Sequence, residues 1–144
     1  MWRVFRERYH GKRRVTPAVV LAVSAGIVLV RLRPFRAAVE GWSMAPTLLP
    51  GDFLVATTTG RIRPGAVVVI RRPGRPTFEM VKRVADPTDG RPYGVRIEPG
   101  DVWVIGDRAD ASTDSRDFGP VSREDVVGVV RFRYWPPRRF GLVR

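Results

Sequence analysis

Five serines and two lysines carry most of the chemistry open to this 144-residue chain, because cysteine is absent and histidine occurs once, as His10. Without cysteine there is no thiol nucleophile, no disulfide and no Cys-based zinc site. His10 lies in a basic N-terminal tail. A Ser/His/Asp triad would have to fold that tail into the site, and a His-based metal cluster cannot be assembled. Hydrolysis therefore needs another base. Of the 26 basic residues 24 are arginine, and the two lysines are Lys12 in the tail and Lys82 in Phe78-Glu79-Met80-Val81-Lys82-Arg83-Val84. A chain that uses arginine wherever a positive charge suffices reserves lysine for an amine that can lose its proton, which a guanidinium with pKa above about 12 cannot do near neutral pH.

For Lys82 to be half neutral near pH 8 its pKa must fall by roughly 2 to 3 from about 10.4, or about 3 to 4 kcal/mol of destabilised charge. Strand alternation predicts that Phe78, Met80, Lys82 and Val84 share one face, so the amine projects among apolar neighbours. Ser43 occurs in Gly41-Trp42-Ser43-Met44-Ala45-Pro46-Thr47, where local context alone describes a turn residue. A third polar cluster runs from Gly106 to Gly119 with Asp107, Asp110, Asp114 and Asp117, interleaved with Arg108, Ser112, Ser115 and Arg116. Its spacing matches no EF-hand ligand pattern, so no metal is expected and internal ion pairs are.

The elements that must position these residues begin with an uncharged run, Val15 to Val30, with Thr16 and Pro17 as helix cap and first position and Pro34 as its end. Sixteen residues rise about 24 Å against a hydrocarbon core of about 30 Å. With Leu32 and snorkelling Arg31 and Arg33 the expected anchor is a single transmembrane helix over 15–33. It follows a basic cytoplasmic tail, 1–14, and precedes a β-rich catalytic domain, 37–144. Six basic residues before the run and three close behind it place the N-terminus in the cytoplasm and the body outside the cell membrane. Strands are predicted at Phe53 to Ala56, Ala66 to Ile70, Phe78 to Ala85, Tyr93 to Ile97, Trp103 to Ile105 and Val126 to Tyr134, and one helical turn at Ser122 to Asp125. The net charge of +12 sits at the ends: residues 1–36 carry +8 and residues 131–144 carry +5, leaving 37–130 at −1. That distribution suits membrane lipids as a partner and gives no reason to expect nucleic acid. The aromatic and arginine stretch from Arg131 to Phe140 reads as a surface for anionic headgroups or as an edge strand with a basic tail.

Together, GWSMAPTLLPGD, EMVKRV and GDRADASTDSRDFGPV, in that order behind an apolar run, resemble the nucleophile, lysine and terminal boxes of the signal peptidase I family of Ser/Lys proteases. The resemblance implies a mostly β fold, the coiled sheets and partly barrel-like core of signal peptidases and LexA-like self-cleaving repressors, at minimal size. It implies Ser43 as nucleophile, Lys82 as general base, and the Ser43 backbone N–H in the oxyanion hole. Ser112 would orient the lysine, Asp114 with Arg116 and Asp107 with Arg83 would form ion pairs beside the site, and Gly41, Met44 and Pro46 would shape the nucleophile turn. Some members carry a serine hydroxyl two residues before the nucleophile, where this chain has Gly41. Arg108 follows Asp107 where relatives often have asparagine. No cofactor is implied. The expected activity is removal of N-terminal signal peptides from exported preproteins. A dedicated propeptide client is the alternative, as in the maturation of nickel superoxide dismutase; a basic membrane- or nucleic-acid-binding protein is the non-enzyme alternative, and it leaves the three ordered boxes unexplained.

Overall fold

The computed structural model describes residues 16–86 and 94–144. The tail 1–14, Val15 and Tyr93 lie outside the described residues. Helix α1, Pro17–Leu32, begins with a proline whose missing N–H and fixed φ suit the first helical position. It ends because Arg33 turns left-handed (φ 43°) and donates its N–H to the Leu29 carbonyl, and Pro34 then has no N–H to continue. The expected transmembrane anchor over 15–33, and with it the single-pass topology, is therefore corrected. Sixteen residues give only about 24 Å of helix, and among the described residues no helix is long and apolar enough to cross a membrane. No residue of α1 is buried; Leu21 and Val30 are about three-quarters exposed.

The body is one antiparallel sheet. Its strands are β1 (Pro34–Ala38), β2 (Phe53–Thr57), β3 (Val67–Arg72), β4 (Arg75–Val84), β5 (Val104–Ile105), β6 (Val126–Trp135) and β7 (Gly141–Leu142), in the order β1-β2-β6-β3-β4-β5 with β7 also on β6. Strand β3 reads Val67-Val68-Val69-Ile70 because both its faces are covered. Val67 and Val69 pack with Met44, Leu48 and Leu54, while Val68 and Ile70 pack with Val84, Val104 and Val121.

The sheet is rolled. If it were flat, β1 and β4 would lie four strand spacings apart, about 19 Å, yet residues of both line one groove of about 660 Å³. Register shifts in the β2–β6, β3–β6 and β3–β4 pairings supply the bends and extra twist. Gly128 supplies the space: a Cβ there would come within 2.7 Å of the Phe35 ring from β1 and 2.6 Å of the Thr57 carbonyl. The roll stops short of closure. The expected partly barrel-like core is thus an open barrel whose two ends, β1 and β5, are not paired with each other.

Residues 94–98 carry no strand, which removes the described part of the strand expected at Tyr93 to Ile97. Strands β1 and β7, and the short helix α2 (Ser115–Phe118), add to the sequence-based expectation. At Ser122 the side chain caps a 3-10 turn, Arg123–Asp125.

Candidate active site

Lys82 sits on β4 directly across from Val68 and is 1% exposed. On its face Val84 is buried, Met80 half-buried and Phe78 exposed, so the alternation predicted from sequence encloses the amine and opens toward the groove. Burial pushes its pKa down from 10.5 to about 8, with the Asp114 charge pulling the other way. Its ammonium or amine N–H donates to Ser112 Oγ at 2.9 Å.

Ser112 in turn donates to Asp114 Oδ2 at 2.7 Å. Asp114 is wholly buried, and its carboxylate also accepts from the Gly106 N–H (2.8 Å), from Arg116 Nε (2.8 Å) and a terminal nitrogen of Arg116 (2.6 Å), and from the Arg116 N–H (3.2 Å). Burial raises its pKa, but the bonds from Arg116, Gly106 and Ser112 outweigh that and hold the carboxyl well below the usual range. Asp114 is therefore an acceptor only. Ser112 must spend its single proton on Asp114 and can offer Lys82 only a lone pair. That fixes one lysine N–H and leaves the nitrogen lone pair free of Ser112. A capping box of Asp114 and Asp117 on α2, and the Val104 N–H donated to Ser115 Oγ at 3.0 Å, fasten this loop to β5.

Ser43 lies half-buried in a wound turn, with Ala45 N–H donating to the Trp42 carbonyl (3.0 Å) and Leu48 N–H to the Met44 carbonyl (2.8 Å). Met44, 1% exposed, plugs the turn into the core, and Pro46 follows Ala45 through a cis peptide on the exposed side. The Ser43 carbonyl accepts the Arg108 N–H at 2.9 Å. Ser43, Lys82, Gly41, Trp42 and Met44 line the same groove. Gly41 is exposed, and a Cβ there would meet nothing within 4 Å.

Behind this wall Arg83 grips Asp107 with two bonds of 2.7 Å and the Gly65 carbonyl with a third of 2.8 Å. Burial raises the Asp107 pKa, but Arg83 and the Thr47 hydroxyl hold it below 3.8; the bond to Asp107 raises that of Arg83.

Of the sequence-derived candidates, Gly41, Ser43, Met44 and Lys82 line the groove; Ser112 bonds Lys82, with Asp114 and Arg116 in turn behind Ser112; Asp107 and Pro46 line a separate cavity, and Arg83 is bonded to Asp107. Three further residues had no assigned role. A Cβ on Gly106 would lie within 2.5 Å of both the Ser112 Cβ and the Ser43 carbonyl oxygen, and closer still to Ser112 Oγ. Only glycine lets the Ser43 turn and the Ser112 loop approach this closely. Asp52 is buried and holds Arg133 (3.1 Å) and Arg139 (3.0 Å), and Thr47 touches both arginine–carboxylate sets. Their one signal was that Gly51-Asp52 ends one motif and Gly106-Asp107 opens another, a pattern also produced by ordinary turns. Arg131, Arg133 and Arg139 bond inward to Thr57, Asp52 and Thr47, so the C-terminal stretch spends three of its arginines on the fold and not on headgroups.

The family described as signal peptidase, peptidase S26, matches residues 12–89 and 86–135. Mitochondrial ATP-independent inner membrane protease subunit 1a of Arabidopsis thaliana is 40% identical over 123 residues, covering 74% of this chain and 73% of the relative. Human mitochondrial inner membrane protease subunit 1 is 31% identical over 119 residues, covering 73% and 72%. Signal peptidase I of Bacillus caldolyticus is 32% identical over 147 residues, covering 72% and 81%. By class the chain is a serine endopeptidase. It belongs to the signal peptidase family, peptidase S26.

Proposed function

We propose that the chain removes N-terminal signal peptides from exported proteins by a Ser43/Lys82 acyl-enzyme mechanism. The observation that carries the reading is a buried lysine whose pKa of about 8 leaves a usable neutral fraction, oriented by Ser112 in the groove that Ser43 lines. Neutral Lys82 takes the Ser43 hydroxyl proton as Oγ adds to the scissile carbonyl carbon. The Ser43 N–H stabilises the resulting oxyanion. Collapse breaks the C–N bond, and the Lys82 ammonium returns the proton to the leaving amine. Water then loses a proton to Lys82 as it attacks the acyl carbon, and Ser43 is restored.

The substrate enters extended. Among the described residues β1 pairs only with β2, and β5 flanks β4 only at Arg83 and Val84, so β1 and β4 both offer main-chain groups along the groove. Ala37, Met44, Val69, Val81 and Ala111 give it an apolar lining suited to small uncharged residues before the cut. The proposed place of action is the extracytoplasmic face of the cell membrane, with α1, unburied and uncharged from Pro17 to Val30, as the lipid contact. The similarity to inner membrane proteases and to a signal peptidase I supports a membrane setting.

Peptide cleavage tests the dyad directly. Ser43→Ala, Lys82→Ala and Lys82→Arg are each expected to lower kcat/KM by about 10³-fold or more with the fold retained. Substantial activity in Lys82→Arg would remove lysine from the role of base. Proteomics of processed N-termini, with active chain and with Ser43→Ala, separates broad preprotein processing from one dedicated propeptide client.

A further inference from the structure

Two arginine–carboxylate sets flank the Ser43 turn, and both converge on Thr47. On one side the Thr47 hydroxyl accepts a bond from Arg83 at 3.4 Å and helps to hold the Asp107 carboxyl in its charged form. On the other its carbonyl accepts from Arg133 at 3.0 Å and Arg139 at 3.4 Å, the two arginines that hold buried Asp52. Asp52 closes that side by accepting the Leu49 N–H at 2.9 Å. Ser43 opens and Thr47 ends the wound turn, and the Ser43 carbonyl is itself tied to Arg108, next to Asp107. Among the described residues the hydroxyl of Thr47 is thus the one side-chain hydrogen bond from the Ser43 turn to the Arg83–Asp107 pair, and Arg83 neighbours Lys82 on β4.

We propose that Thr47 is a positioning residue that sets the distance and angle between Ser43 and Lys82 by clamping the Ser43 turn to the Arg83–Asp107 pair. The inference rests on the Ser43/Lys82 reading above. Removing the hydroxyl leaves Arg83 and Asp107 bonded to each other and the backbone ties of the turn in place, so the fold persists while the turn loses its side-chain tie to that pair. A misplacement of about 1 Å costs up to about 100-fold in rate.

The test compares Thr47→Val, which keeps shape and loses the hydroxyl, with Thr47→Ser, which keeps the hydroxyl. Thr47→Val is expected to lower kcat about tenfold at unchanged KM, and Thr47→Ser to stay within about twofold of the parent chain. Equal losses in the two variants, or a Thr47→Val within twofold of the parent, would overturn the proposal. A second measurement separates it from the dyad reading. Because the chain has no cysteine, Ser43→Cys introduces a single thiol whose alkylation by iodoacetamide reports its activation. Adding Lys82→Met should slow alkylation, and adding Thr47→Val should slow it severalfold, whereas adding Thr47→Ser should not. An alkylation rate indifferent to Lys82→Met would defeat the dyad itself; one slowed by Lys82→Met and untouched by Thr47→Val defeats only the role of Thr47.

Discussion

Lys82 and Arg83 are adjacent cations on β4 that the molecule treats in opposite ways. Arg83 receives a carboxylate directly: two 2.7 Å bonds to Asp107 raise its pKa and stabilise its charge. Lys82 is denied one. The nearest carboxylate, Asp114, is held one serine away and is already engaged by Arg116 in a 2.6 Å ion pair. Burial then wins, and the fall from 10.5 to about 8 corresponds to about 3 kcal/mol against the ammonium. Placing a hydroxyl instead of a carboxylate beside a buried cation converts a structural charge into one that titrates near neutrality.

Four measurements break or sharpen that contrast. Gly106→Ala should damage activity and stability together, because its Cβ forces apart the Ser43 carbonyl and Ser112, the residue that keeps Asp114 at one remove from the lysine. Peptide cleavage is expected to fall about 100-fold, with about 2 kcal/mol lost in urea denaturation from overpacking. Near-normal activity would mean that the two loops need not meet closely.

Arg83→Met leaves Asp107, whose side chain is 12% exposed, without its partner, and is expected to cost about 2 to 3 kcal/mol of stability. Lys82→Met should do the reverse and stabilise the fold at pH 7 by about 1 to 3 kcal/mol, because it removes a buried charge and keeps the volume. The sign follows from linkage. Between the folded pKa of about 8 and the unfolded 10.5 the unfolded chain binds more protons, so the parent chain gains stability as pH rises through that window and the advantage of Lys82→Met fades. Thermal unfolding of both variants at pH 7 and pH 10 reads the two effects; equal and opposite signs would be lost if the two cations were equivalent.

The smallest effect is on the pH profile. kcat/KM should rise with pH through a single midpoint near 8, changing about tenfold between pH 7 and the plateau. Asp114→Asn should move that midpoint down, since the Asp114 charge supports the ammonium. A flat profile from pH 6 to 9 would count against a titrating lysine.

Much of this contrast was legible before any coordinates. The scarcity of lysine among arginines singled out Lys82, and the two-residue period of Phe78 to Val84 put it on an apolar face. The motif order placed Ser43, Ser112 and both ion pairs. Less visible were β1, whose Pro34-Phe35-Arg36-Ala37-Ala38 has neither alternation nor an apolar run, and the inward use of Arg131, Arg133 and Arg139, because basic residues near a terminus look solvent-bound until a buried carboxylate such as Asp52 is placed beside them. The length of α1 was misread for a backbone reason. Arg33 was counted as a snorkelling extension, whereas its left-handed conformation ends the helix.

By itself the sequence determined which residues can do chemistry here: with no cysteine, one histidine and a single lysine outside the tail, composition leaves Ser43 and Lys82 little competition. Tertiary structure decided how they meet. Rolling the sheet until β1 faces β4, and bringing Gly106 against the Ser43 carbonyl, joins segments 37 to 50 residues apart in the first case and 63 in the second. Such contacts depend on the twist, bulges and packing of strands between them, and no local pattern of residue types encodes those distances.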